Sequence, residues 1–139
     1  MAVSNILRPM EITLKNLQKK IPIPRKQILK AAKAAFRKLE FEGRDLSIVF
    51  VAPARMRAIN RKYLKHDYVT DVLSFDLGGK ISEIIVCPQI AFANAKIYRT
   101  SVRKEMIMYV IHGILHLAGF DDHSEKDIDQ MRRMEMKLL

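Results

Sequence analysis

A chain of 139 residues can bury one core and has no room for a second, so residues 1–139 are expected to form a single domain. With 49% apolar and 29% charged residues, the composition is that of a globular protein and excludes a disordered one. Twenty-five lysines and arginines against 15 acidic residues give a net charge of +10, which points to a polyanionic partner, nucleic acid or an anionic membrane surface.

Residues 10–14 put Met10, Ile12 and Leu14 on one face at period two and read as a first strand. Pro22 and Pro24 interrupt, and Pro24 can occupy the first turn of a helix, where its missing N–H costs nothing. Ile28, Leu29, Ala32, Ala35, Phe36 and Leu39 then recur at helical spacing, with Lys30, Lys33, Arg37 and Lys38 facing out. After Gly43, residues 46–52 are β-branched and aromatic and read as a buried strand. Pro53 opens a short helix carrying Met56, Ile59 and Tyr63. Residues 71–77 and 81–87 read as two strands, and the Gly78-Gly79 turn between them predicts antiparallel neighbours.

From Pro88 onward the pattern is helical in three pieces, 89–98, 102–118 and 125–138. Ser124 is a good N-cap for the last, with Asp127 three residues on. Ile128, Met131, Met134 and Leu138 form its expected buried face, where methionine fills core. Cys87 is the only cysteine, so an internal disulfide and a CxxC zinc site are excluded, and a reducing cytoplasm fits. No apolar run approaches the roughly 18 residues that span a bilayer, and the N-terminal stretch has no long apolar segment, so neither a membrane anchor nor secretion is expected.

The positive charge is uneven. Residues 1–66 hold 16 basic against 4 acidic side chains, whereas residues 121–139 hold 4 against 6. The densest stretch carries Arg55, Arg57, Arg61, Lys62 and Lys65. Any one such cluster is an ordinary solvated helix face, but the sum over the domain favours nucleic-acid contact.

The main chemical signal is HGILHLAGFDDH at residues 112–123. His112 and His116 are four apart in a helical segment, so their imidazoles project from one face and can reach one metal ion. Gly119, three residues later, can end the helix in a left-handed conformation. The chain can then fold back and offer a third ligand from Asp122 or His123. Three protein ligands with an open position is the arrangement of a catalytic zinc. In the HExxH zinc peptidases a glutamate follows the first histidine as general base; here that position is Gly113, so a peptidase is disfavoured. His66, in a basic loop, reads as solvated or phosphate-facing.

His112, Gly113, Leu115, His116, Leu117, Gly119 and Asp121, with Phe120 in place of a tyrosine, resemble the signature of the YbeY family of single-strand-specific endoribonucleases, the rRNA maturation factors. A second block of that family, T-D-V-L-S-F, stands unchanged at Thr70 to Phe75, and Asn60 and Tyr63 match the stretch before it. The resemblance covers nearly the whole chain. It implies an α+β fold, a small mixed four-stranded sheet packed against about five helices with the metal site at a helix end. It further implies one zinc ion held by three histidines, a cytoplasmic location, and a role in rRNA processing and ribosome quality control. The expected partners are single-stranded RNA, rRNA and the ribosome, with no membrane and no DNA.

Two positions depart from the family pattern. The third family histidine stands ten residues after the first, which here is Asp122, with His123 one later. His112, His116 and His123 are nevertheless the expected zinc ligands, because a turn absorbs one extra residue more readily than a helix does, and three histidines keep the full charge of the ion. The family's usual arginine after the tyrosine is Leu64. Asp71 and Ser74 are read as fixing a strand end by hydrogen bonds, the other reading placing them near the metal cleft or RNA. The sequence does not reveal the general base. The other reading of the whole is a non-catalytic RNA- or ribosome-binding module with a structural metal.

Overall fold

The computed structural model describes residues 11–41, 43–65, 70–120 and 122–139. The elements run β1 (Ile12–Asn16), α1 (Arg25–Lys38), β2 (Asp45–Phe50), α2 (Pro53–Leu64), β3 (Val72–Gly78), β4 (Ile81–Val86), α3 (Pro88–Tyr98), α4 (Val102–Leu117) and α5 (Glu125–Leu138). The fold is thus α+β, with five helices and four strands among the described residues. Most boundaries fall within a residue or two of the sequence pattern. Of the expected stretch 10–14, Met10 lies outside the described residues and Glu11 precedes β1, whose register pairs Ile12 through Asn16 with Leu46 through Phe50. Pro24 is the residue before the first turn of α1 and not within it, whereas Pro53 and Pro88 do stand in the first turns of α2 and α3.

The sheet order is β1-β2-β4-β3. β1, β2 and β4 are parallel, and β3 pairs antiparallel to β4 across the Gly78-Gly79 turn, whose two glycines both take positive φ. Strand alternation sends sheet residues to the main core on one face and to a small satellite cluster on the other. On one face Leu46, Ile48, Phe50, Ile84 and Val86 meet Ile28, Ala32 and Phe36 of α1 and the long row Met106, Val110, Ile111, Ile114 and Leu115 of α4. On the other, Leu73, Ile85, Cys87 and Val51 meet Met56 of α2.

α4 is the central helix. It packs on α1, α3, α5, β3 and β4. Ser101 caps its start by accepting from the Lys104 N–H at 3.1 Å. Its end is a Schellman turn: the Gly119 N–H donates to the His116 carbonyl and the Phe120 N–H to the Leu115 carbonyl, each at 3.0 Å, with Gly119 at φ +95°. α5 then begins at Ser124, whose hydroxyl accepts from the Asp127 N–H at 3.1 Å. Met131 and Leu138 are buried from α5, and Ile128 and Met134 are partly so.

α4 comes down on the sheet at Gly113. Its carbonyl accepts the Ser74 hydroxyl at 2.9 Å, and a Cβ there would lie 3.0 Å from Ser74 Oγ and 3.1 Å from two carbons of the buried Ile84. Gly113→Ala is therefore expected to destabilise the domain by about 1–2 kcal/mol, the overpacking outweighing the roughly 1 kcal/mol that alanine gains in a helix. Denaturant unfolding of the two chains measures it. Equal or greater stability of the alanine variant would show that the helix can lift off the sheet freely.

Candidate metal centre

With Gly113 held against the sheet, the helical repeat turns His112 and His116 to the same side of α4. Their Nε2 atoms lie 3.0 Å apart, and the rings meet edge to face with centroids 4.6 Å apart. The Schellman turn reverses the chain and returns Asp122, whose Oδ2 lies 3.7 Å from His112 Nε2 and 3.8 Å from His116 Nε2. One donor atom from each of the three residues falls within 4.8 Å of the others. Tetrahedral bonds of about 2.0–2.1 Å place neighbouring donors about 3.3 Å apart, so the triangle has the dimensions a zinc-sized ion requires. Two imidazoles and a carboxylate are also an ordinary zinc donor set. The side chains are 25%, 31% and 47% exposed in the order His112, His116, Asp122, so the triangle opens toward solvent on the Asp122 side.

The sequence expectation for the third donor was His123. The structure leaves His123 exposed beside the start of α5, and it is not in the group that converges on the histidine pair. After the left-handed Gly119, the phase of the turn decides which side chain points inward, and here it delivers the residue ten positions after His112. Asp121 and His66 lie outside the described residues.

One participant is not marked in the motif. Glu135 of α5 reaches His112 Nδ1 at 3.2 Å and is only 14% exposed. With Nδ1–H donating to Glu135, Nε2 is left as the lone-pair nitrogen facing Asp122 and His116, which fixes both the tautomer and the ring plane. The signal was available: Met131, Glu135 and Leu138 lie on one stripe of α5, which places this acid on the buried face. The His112 pKa is raised, first by the Glu135 hydrogen bond, against the opposing effect of burial, and further by the charges of Glu135, Asp71 and Asp122. A raised pKa means the metal-free ring holds its proton to higher pH than an ordinary histidine. That proton competes for the same site as a metal ion, so metal affinity falls as pH drops through it.

Asp71 and Ser74 do hold backbone. The Asp71 carboxylate accepts from the Val72 N–H at 2.7 Å, and Ser74 ties β3 to α4. Asn60 is buried in α2, and Tyr63 and Leu64 stand exposed at its end.

A central helix presenting two histidines, a returning carboxylate and a supporting glutamate is a framework able to hold one metal ion, and comparison with known proteins supplies the family. The family described as endoribonuclease YbeY matches residues 13–139. An endoribonuclease YbeY from Elusimicrobium minutum is 39% identical over 106 residues, covering 70% of this chain and 74% of the relative. Another, from Alkaliphilus metalliredigens, is 31% identical over 142 residues, covering 91% and 92%. Among solved structures, the solution structure of TM1509 from Thermotoga maritima superposes with a TM-score of 0.60 at 28% identity, covering 93% of this chain and 85% of that one. The chain belongs to the endoribonuclease YbeY family, and its role is that of an endoribonuclease, a hydrolase acting on RNA.

Zinc titration of single variants tests the centre. His112→Ala and His116→Ala should each abolish tight zinc binding with the circular dichroism of a folded domain retained, because the core does not run through the site. Asp122→Ala should cost far more affinity than His123→Ala, and the reverse order would restore His123 as third ligand. Glu135→Gln should cost roughly 10–100-fold, the usual effect of removing a carboxylate that orients a ligating histidine.

Proposed function

We propose that the chain is a zinc-dependent endoribonuclease specific for single strands, acting in rRNA maturation and ribosome quality control in the cytoplasm. The observation that carries this reading is the convergence of His112, His116 and Asp122, backed by Glu135, in a member of an endoribonuclease family. When bound, zinc would supply a Lewis acid for a phosphoryl oxygen and lower the pKa of a coordinated water.

The chain's own residues do the rest. His112 and His116 present their imidazole Nε2 atoms from one face of a helix, and Glu135 holds the first ring in orientation. Asp122 supplies the third donor on the solvent-facing side, from which a phosphodiester would approach. The exposed Arg55, Arg57, Arg61, Lys62 and Lys65 on and just after α2 offer positive charge to an RNA backbone. A peptidase reading is disfavoured on sterics as well as chemistry, since Gly113 abuts Ser74 and Ile84 and leaves no space for a glutamate. No helix among the described residues is long and apolar enough to cross a membrane.

The decisive experiment incubates zinc-reconstituted protein with defined single- and double-stranded RNAs, with His112→Ala alongside. Cleavage of single strands that requires metal and is lost in the variant is the expected result. Binding should fall steeply as salt rises, the logarithm of the constant tracking the logarithm of salt, as phosphate contacts require. RNA binding without any cleavage would favour a binding module whose metal is structural, and a flat salt response would overturn binding through phosphates.

A further inference from the structure

α2 covers only part of its face of the sheet. Met56 seals Val51, Leu73, Ile85 and Cys87, but the next row toward the β3–β4 turn is only partly covered. That row holds Phe75 directly opposite Glu83, with Leu77 and Ile81 beyond them at 59% and 48% exposure. The result is a groove of about 260 Å³ lined by Ile59, Tyr63, Phe75, Leu77, Glu83 and Ile85. Tyr63 forms its rim, 59% exposed, held edge-on by Phe75 with ring centroids 5.8 Å apart and with Lys62 Nζ 5.2 Å from its own ring centre.

Glu83 is the unexpected residue. It is half-buried on a groove floor otherwise apolar and aromatic, and among the described residues its carboxylate makes no hydrogen bond or ion pair. A carboxylate there would repel a phosphate, yet the α2 border of the groove is basic. Both facts fit a strand whose backbone follows the cations while a base enters the groove. A carboxylate is an acceptor only, so it selects bases by their donors. Guanine alone presents two adjacent donors, N1–H and the N2 amine, on its Watson–Crick edge. In a duplex that edge is sealed by pairing; in a single strand it is free.

We propose that this groove is a guanine-binding subsite for single-stranded RNA, with the base stacked on Tyr63 and its Watson–Crick edge paired to Glu83. It rests on the endoribonuclease reading and deepens it. The groove is on the opposite face of the sheet from α4, so the subsite anchors the strand at a distance from the metal centre. Single-strand preference then has a physical source in the base contact as well as in the cleavage site.

The test measures binding of the zinc-loaded full chain to short phosphorothioate 2′-O-methyl oligomers that resist cleavage. Each is an oligouridine with one central guanine, inosine, adenine or cytosine, or none. Guanine should bind about 10-fold more tightly than the uridine-only strand, as a bidentate base contact would give. Inosine, which lacks the N2 amine, should fall between. Glu83→Gln should bring the guanine-to-uridine ratio close to one. Tyr63→Ala should weaken the guanine strand about 10-fold, and Tyr63→Phe should retain its affinity. Equal affinity for all five strands, or a guanine preference that survives Glu83→Gln, overturns the subsite. So does sedimentation showing a dimer that Tyr63→Ala dissociates, which would assign the partly covered face to a second copy. Metal-dependent cleavage of uridine-only RNA without guanine preference sinks the subsite alone, whereas absence of all single-strand binding and cleavage sinks the functional reading with it.

Discussion

The whole architecture turns on how closely α4 can approach the sheet. The helix is buried on most of its circumference, and it comes close against Ser74 of β3 and Ile84 of β4 at a residue without a side chain. That close approach does more than pack two elements. At about 100° per residue, fixing Gly113 toward the sheet places His112 about 100° to one side and His116 about 60° to the same side. Both imidazoles therefore emerge together, tangential to the sheet and toward α5. A bulkier residue at 113 would rotate or lift the helix and carry both histidines with it. The Ser74 hydroxyl on the Gly113 carbonyl pins the same point in the axial direction.

Given that placement, the C-terminal segment completes the site by local chain chemistry. The positive φ of Gly119 satisfies the last carbonyls of α4 and reverses direction, and Ser124 restarts a helix five residues later. Between them Asp122 presents its carboxylate to the histidine pair. α5 then runs back past His112 and contributes Glu135 from its buried stripe. Lys38 of α1 donates to the Lys137 carbonyl at 2.8 Å, holding the end of α5 against the core. The site is thus built on two helices and one capped turn, rigid elements that can hold donors near the spacing of a metal ion before any ion arrives.

Much of this was legible in the sequence because each feature has a local cause. Two imidazoles at i and i+4 declare themselves, as do Gly119 at a helix end and Ser124 at a helix start. The helices and strands were legible from their periods, and the β3–β4 hairpin from its paired glycines. What the sequence withheld depended on tertiary phase. The parallel pairing of β2 with both β1 and β4 is a matter of crossover, to which alternation is blind. Which of Asp122 and His123 stands beside the histidine pair depends on the rotation of the chain after a positive-φ residue, and counting residues across a turn does not supply it. Glu135 was hidden for a different reason: an acid on a helix rich in acids reads as solvated, and only its position between Met131 and Leu138 reveals that it faces inward.

The identity of the third donor also bears on how charge is divided along the chain. With a carboxylate in that position, a bound divalent ion would keep one net positive charge, and Glu135 behind His112 would soften its pull further. The segment that closes the centre is itself acidic, with 6 acidic against 4 basic side chains over residues 121–139. Attraction for a polyanion therefore has to come mainly from elsewhere, and residues 1–66 carry 16 basic side chains against 4 acidic. Such a division has a mechanistic advantage. A centre of low net charge binds a phosphodiester weakly in its ground state, whereas a remote basic surface holds the strand whatever happens at the scissile bond. On the proposed reading, binding and chemistry would be carried by separate parts of the chain, and a bound ion would keep its remaining charge for the charge that develops as the bond breaks.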